Sequence, residues 1–332
     1  MEKRNYYTQT DACKTFLWAL LVPQGLSLLV ALIFSFFYKT PEELSSSQVY
    51  LFIATIIAQV AFALVVFLYN KKNNVNFIKA TKLNFSKIST KNILVCILIS
   101  IIAVFGLYNF INMFGKIFTK LGFVSSSLSL PNNTFYWFII NVVLLAIVPA
   151  FFEEVIFRGM IFNGLRKSGF LFAGLISALM FTLVHMSIHQ MIFPFIMGVV
   201  FALILEKTGS LLYTMLTHFC NNFVVLLITY ISNTIGKDFL YIDVKTFPVA
   251  LLVTFIAVVA LVVIWLLVKY VLVNNNEQKS DRNLEKTNLL QEDYTNDLTN
   301  DTKKRQYYKY LIGAISSGVL LWLVYVISEF LA

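Results

Sequence analysis

Residues 135–167 read FYWFIINVVLLAIVPAFFEEVIFRGMIFNGLRK. From Phe135 to Leu165 the run is apolar throughout, apart from Glu153, Glu154 and Arg158 and a few neutral polar residues, and it ends on the dibasic pair Arg166-Lys167. A helix of about 20 apolar residues already spans a bilayer's hydrocarbon core. Stopping the span at Arg158 would make the acids a membrane-edge cluster, but Gly159–Leu165 is still mostly apolar and Arg166-Lys167 forms the better boundary. Glu153 then lies about 20 Å above that boundary, at 1.5 Å per residue. An ionisable group at that depth costs several kcal/mol unless paired or wetted, which makes it a functional candidate by default.

The rest of the chain has the same character. Of 332 residues, 58% are hydrophobic and 13% charged, whereas soluble domains run about 25% charged. Apolar stretches at 15–37, 48–69, 93–113, 135–165, 170–188, 190–205, 210–232, 247–273 and 310–331 predict an all-α polytopic membrane protein of eight or nine transmembrane helices. The first stretch exceeds a signal-peptide core and no small-residue cleavage site closes it, so it reads as a retained helix. Cys13, Cys96 and Cys220 are scattered and read as small buried hydrophobes.

The net charge of +9 is no sign of nucleic-acid binding, because Lys and Arg orient a membrane protein by gathering in cytoplasmic loops. Placing the N-terminus inside puts Lys3, Arg4 and Lys14, six lysines of the loop 70–92, Arg166, Lys167, Lys207 and a basic group from Lys269 to Lys309 on the cytoplasmic side. Lys39, Lys116, Lys120, Lys237 and Lys245 fall outside. The bias predicts a cytoplasmic N-terminus at the cell membrane, with the C-terminus outside. Loop 70–92 alternates lysine with Phe77, Ile78, Leu83, Phe85 and Ile88, which suits an interfacial segment on anionic lipid. The expected organisation is N-terminal helices and this basic loop over 1–129, a catalytic core over 130–235, a further helix within 236–273, a charged and disordered cytoplasmic linker over 274–309, and a final helix over 310–332.

Within the core, Glu154 and Arg158 are four residues apart and face one another on a helix. Their pairing leaves Glu153 as the unpartnered acid. The chain's three histidines fall at His185, His189 and His218. His185 and His218 are expected at overlapping membrane depths with Glu153, and Asn222 lies one turn beyond His218 on the same face. His185 and His189 invite a zinc reading, but the glutamate of an H-E-x-x-H motif is missing. Glu153, His185 and His218 could supply a carboxylate–bis-histidine zinc site, so a divalent metal stays open beside a metal-free reading. Such a set suits a hydrolase without a covalent nucleophile. Glu153 would take a proton from water, His185 would orient that water, and His218 with Asn222 would donate to the oxyanion.

Glu153-Glu154-x-x-x-Arg158, Phe181-x-x-x-His185 and His218-x-x-x-Asn222, in that order and within apolar spans, resemble the three motifs of the CPBP family of CAAX-processing and bacteriocin-processing (Abi-type) intramembrane endopeptidases. The similarity covers roughly residues 130–235. It implies an all-helical membrane core and an endopeptidase, with Glu153 as base, His185 as its partner, and His218 and Asn222 as oxyanion stabilisers. Glu154, Arg158 and Phe181 fall in supporting positions. Eukaryotic relatives trim prenylated C-terminal tails, whereas bacterial relatives suggest bacteriocin maturation, self-immunity or peptide-signal processing. The partners implied are a membrane-associated peptide or protein substrate and, for a non-catalytic scaffold or immunity protein, an envelope protein. A transporter is a third class.

Overall fold

The computed structural model describes residues 3–83, 85, 88–124, 130–273 and 300–331. Nine long helices account for most of them: α1 Gln9–Ser35, α2 Gln48–Asn73, α3 Thr90–Lys120, α4 Phe135–Ser168, α5 Phe170–Leu183, α6 Ile192–Thr208, α7 Leu211–Ile235, α8 Phe247–Val271 and α9 Asn300–Leu331. Seven are long and apolar enough to cross a membrane, and the protein is an all-α, multi-pass membrane protein. The exceptions, α5 and α6, have 14 and 17 residues, or about 21 and 26 Å against a hydrocarbon core of about 30 Å. They pack against each other as a short hairpin, with Leu171 and Leu175 of α5 on the outer surface. Crossing parity is the same whether this pair is counted or not.

Local chemistry sets the helix ends. Thr8 and Asp11 form a reciprocal capping box at the start of α1, and Ser47, Ser89 and Thr134 cap α2, α3 and α4. Gly209 and Gly236 stop α6 and α7 in the left-handed conformation. One core cluster forms where α1, α2, α5, α7 and α9 surround the second half of α4, whose residues Val155 to Phe162 are all buried. A second joins α3, α6, α7 and α8. The bundle's outer faces are apolar and exposed, as along α8 at Leu251, Leu252, Phe255 and Val262.

Segments sorted to one side by charge gather at one end of the bundle. Arg4 pairs with Val75 and Asn74, Gln9 with Ser168, Ser168 with Tyr307, Leu211 with Lys82, Lys207 with Lys269 and Asn92 with Val273. At the opposite end Lys116 pairs with Asp243, Tyr108 with Asp238, and Asn132 with the carbonyl of Leu226.

Two expectations need correction. Residues 300–309 are helical and open α9, so the last helix begins well before residue 310, while 274–299 lie outside the described residues. The loop 70–92 is shorter than expected, since α2 runs to Asn73 and Phe77–Ala80 forms a helical turn. Within it Leu83 is buried under the bundle, leaving Ile78, Phe85 and Ile88 as the exposed apolar residues. The last helix, α9, packs into the bundle. A Cβ on Gly318 would stand 2.9 Å from the Phe16 ring and 3.1 Å from Leu183.

Candidate active site

The long helix α4 carries the first motif, and its backbone is not uniform. Residues 142–147 and 155–162 adopt wider π-helical turns on either side of an α-helical stretch, Val148–Glu154. Such turns recur at functional sites. Pro149 has no N–H to offer the carbonyl of Leu145, and Asn222 Nδ2 of α7 donates to that carbonyl at 2.9 Å. The antiparallel pairing of α4 and α7 that sets Asn222 beside Leu145 also sets His218 beside the two glutamates.

The glutamates have different surroundings. Glu154 is fully buried, and its Oε1 accepts from Arg158 Nη1 at 3.0 Å and from His218 Nδ1 at 2.9 Å. Glu153 lies next to it with its Oε2 3.8 Å from His218 Nε2, and it lines a cavity of about 280 Å³. The donation to Glu154 places the His218 hydrogen on Nδ1 and leaves Nε2 facing Glu153. His185 is arranged alike: its Nδ1 is 2.8 Å from the carbonyl of Phe181, one turn earlier, and its ring borders the same cavity.

Aromatic rings hold these groups in place. The Arg158 guanidinium lies over Phe181 at 4.5 Å and over Phe201 at 5.0 Å, an arrangement that suits a weakly hydrated cation away from water. Phe201 stacks on His218 at 5.1 Å, and Phe181 meets both His185 and His218 edge-on. Gly198 lets α5 and α6 close around this group, since a Cβ there would stand 2.8 Å from Ala178 Cβ, 2.9 Å from Ala178 Cα and 3.1 Å from Arg158 Nη2.

Glu153, His185, His218 and Asn222 therefore border one cavity, with Glu154, Arg158 and Phe181 in direct support. His189 stands apart, with its Nε2 3.3 Å from the carbonyl of Phe123 and its ring against Phe118. Phe201, Gln59, Gln190 and Asn221 border the cavity without having been anticipated. Asn221 was open to discovery as a second buried amide beside Asn222. Phe201 carries no signal in its own helix. Among the described residues, no three His, Cys, Asp or Glu side chains converge closely enough to hold a metal ion, and Glu153, His185 and His218 do not form such a cluster as placed. A wider polar cleft of about 1070 Å³ opens elsewhere, between α2, α3 and α7, and shares none of the motif residues.

Residues 135–224 match the model of the Rce1-like type II CAAX prenyl endopeptidases. All three motifs lie inside this Rce1-like segment. The chain is also similar to YdiL of Bacillus subtilis (strain 168), a protein named provisionally as a membrane peptidase, with 35% identity over 88 residues. That match covers 26% of this chain and 36% of YdiL, so the chain spans about a third of the length of the relative it matches. No solved structure matches.

Proposed function

We propose that this chain is an intramembrane endopeptidase that hydrolyses peptide bonds of a membrane-associated peptide or protein with water activated by Glu153. The observation that carries this reading is the division between the two glutamates. Glu154 is fully buried with its Oε1 held by Arg158 and His218, while Glu153 faces the cavity across 3.8 Å from His218 Nε2. That separation accommodates one water in contact with both groups, at ordinary hydrogen-bond lengths of about 2.8 Å. Glu153 takes the water's proton as the hydroxyl attacks the peptide carbonyl, then returns it to the departing amine. His185 Nε2 orients the water or the scissile group. Asn222 uses one Nδ2 hydrogen on Leu145 and offers the other to the oxyanion. His218 joins it as a donor only when protonated, because neutral His218 has its hydrogen on Nδ1.

The cavity's remaining polar groups suit a peptide. Gln59 Oε1 and Asn221 Oδ1 are buried acceptors without a hydrogen-bond partner among the described residues, and backbone N–H groups of an extended substrate would satisfy them. Bacteriocin maturation, self-immunity and peptide-signal processing are the settings in which we place this activity. The proposed orientation keeps the N-terminus and the basic end of the bundle cytoplasmic, with Ile78, Phe85 and Ile88 and the neighbouring lysines resting on anionic lipid. No metal takes part in this scheme, and activity should survive exhaustive chelation of the purified protein; loss restored by zinc would contradict that part. Comparing secreted and membrane peptides between unmodified cells and cells carrying Glu153→Ala tests the function itself. A shifted peptide profile supports proteolysis, whereas an unchanged one favours the non-catalytic scaffold.

A further inference from the structure

The segment 184–191 joins α5 to α6 and carries the cavity histidine, His185, as its second residue. Immediately after His185, Met186 takes a left-handed conformation with φ 50°. A residue with a Cβ enters this region at a cost and persists there only when its surroundings hold it. The holding contacts come from the far end of the chain. Glu329, in the last turns of α9 and 2% exposed, accepts from Ser187 Oγ at 2.6 Å through Oε1 and from the Ile188 N–H at 3.0 Å through Oε2. Both oxygens of one carboxylate are thus engaged by the two residues that follow the strained one.

The end of α9 is itself tied down. The Glu329 carbonyl accepts from the Val124 N–H at 2.8 Å, and the Phe330 ring packs on Phe123 and over Gly122. Gly122 has φ +98°, which suits glycine, and a Cβ there would lie 3.1 Å from that ring. His189 Nε2, 3.3 Å from the Phe123 carbonyl, joins the same segment from the other side. The His185 segment is therefore held at Ser187 and Ile188 by α9 and at His189 by the residues that follow α3.

We propose that Glu329 is a positioning residue: its carboxylate clamps Ser187 and Ile188, holds Met186 in its left-handed turn and so fixes His185 at the cavity. The role of His185 in catalysis rests on the protease reading above; the clamp does not. The helix that carries Glu329 lies outside the segment similar to the CAAX endopeptidases, so this part of the chain completes a site whose motifs lie elsewhere.

The test is amide hydrogen exchange over 184–191 in the full-length protein in lipid vesicles, for the unmodified chain and for Glu329→Ala, Glu329→Gln and Ser328→Ala. Breaking a hydrogen bond to a charged carboxylate should speed exchange across the segment about tenfold or more in Glu329→Ala. Glu329→Gln keeps one acceptor oxygen and should fall between. Ser328→Ala, one residue away with its hydroxyl on the Tyr325 carbonyl, should match the unmodified chain. Where peptide cleavage is measured, Glu329→Ala should lower kcat about tenfold with little change in KM, and Glu329→Gln should recover part of it. Unchanged exchange in an inserted, folded Glu329→Ala protein overturns the clamp, as does an unchanged kcat in an active preparation. An unmodified chain without peptidase activity would count against the protease reading instead, and the exchange result would still decide the clamp. Met186→Gly supplies a second variant: by relieving the left-handed strain it should reduce the effect of Glu329→Ala on exchange, and an undiminished effect also overturns the proposal.

Discussion

Replacing Arg158 with methionine tests how the site is held together. Arg158 and Glu154 are both fully buried, 3.0 Å apart, and the guanidinium lies against Phe181 and Phe201. Methionine preserves much of the apolar volume, so packing against the rings changes little while the charge disappears. Glu154, fully buried, then keeps His218 as its remaining partner among the described residues. Removing one member of a buried pair costs about 3–5 kcal/mol, most of it the penalty of the stranded charge. The second substitution Glu154→Gln removes that charge and should return most of the loss, giving a coupling energy of at least about 2 kcal/mol in a double-mutant cycle. Equilibrium unfolding in mixed micelles, followed by tryptophan fluorescence, measures all four proteins. A loss below about 1 kcal/mol for Arg158→Met, or strict additivity of the two changes, would refute the view that the pair is a dry, mutually dependent unit. His218 provides an internal check, because its Nδ1 hydrogen bond goes to the same Glu154 oxygen. In Glu154→Gln alone, His218 should lose its fixed tautomer and activity should fall even where the fold survives.

Further expectations follow from the same geometry. Asn222→Ala should lower kcat about 100-fold, the scale for losing one oxyanion donor, with a smaller cost in stability from the freed Leu145 carbonyl; a change confined to KM would make Asn222 a binding residue. Gly198→Val should wedge α5 from α6 against Ala178 and cost about 1–3 kcal/mol by overpacking, seen as a lower midpoint of thermal unfolding. At the end of the bundle away from the basic loops, Lys116 and Lys245 hold the Asp243 carboxyl below its ordinary range. A depressed carboxyl contributes stability that is present above its unfolded value and is lost as pH falls through its folded one. Proteolytic nicking within 236–246 should therefore increase on acidification below the ordinary carboxylate range, and Lys116→Ala should shift that onset to higher pH.

The all-helical bundle was legible because a span needs only length and apolarity, and every stretch picked out on that basis holds a helix. The stretch 170–188 stops being helical at Leu183, so His185 stands in the turn after α5 rather than within a span, and α5 and α6 are shorter than a full crossing. Grouping the loops was legible for a related reason: charge avoids the hydrocarbon, and the loops richest in Lys and Arg are ones the structure gathers at a single end of the bundle. The pairing of Glu154 with Arg158 followed from helix periodicity alone. What lay beyond the sequence depends on register between helices. Neither π-helical turn in α4 has a composition of its own, yet the first lies across from Asn222 and the second carries Arg158. Phe201 matters only because α6 lays it on both Arg158 and His218. Glu329 was a different kind of omission. It is an acid at the end of an apolar span, where the depth that singled out Glu153 is lacking, and its partners at Ser187 and Ile188 are more than a hundred residues away in the chain.

The central claim is that Glu153, and not Glu154, activates water. The direct measurement is the kcat of purified Glu153→Gln on a peptide that the unmodified protein cleaves, with insertion and unfolding midpoint checked alongside. The expected result is a loss of at least about 100-fold, the low end for removing a general base, with the unfolding midpoint close to that of the unmodified protein. A Glu153→Gln protein that cleaves at the unmodified rate would contradict it.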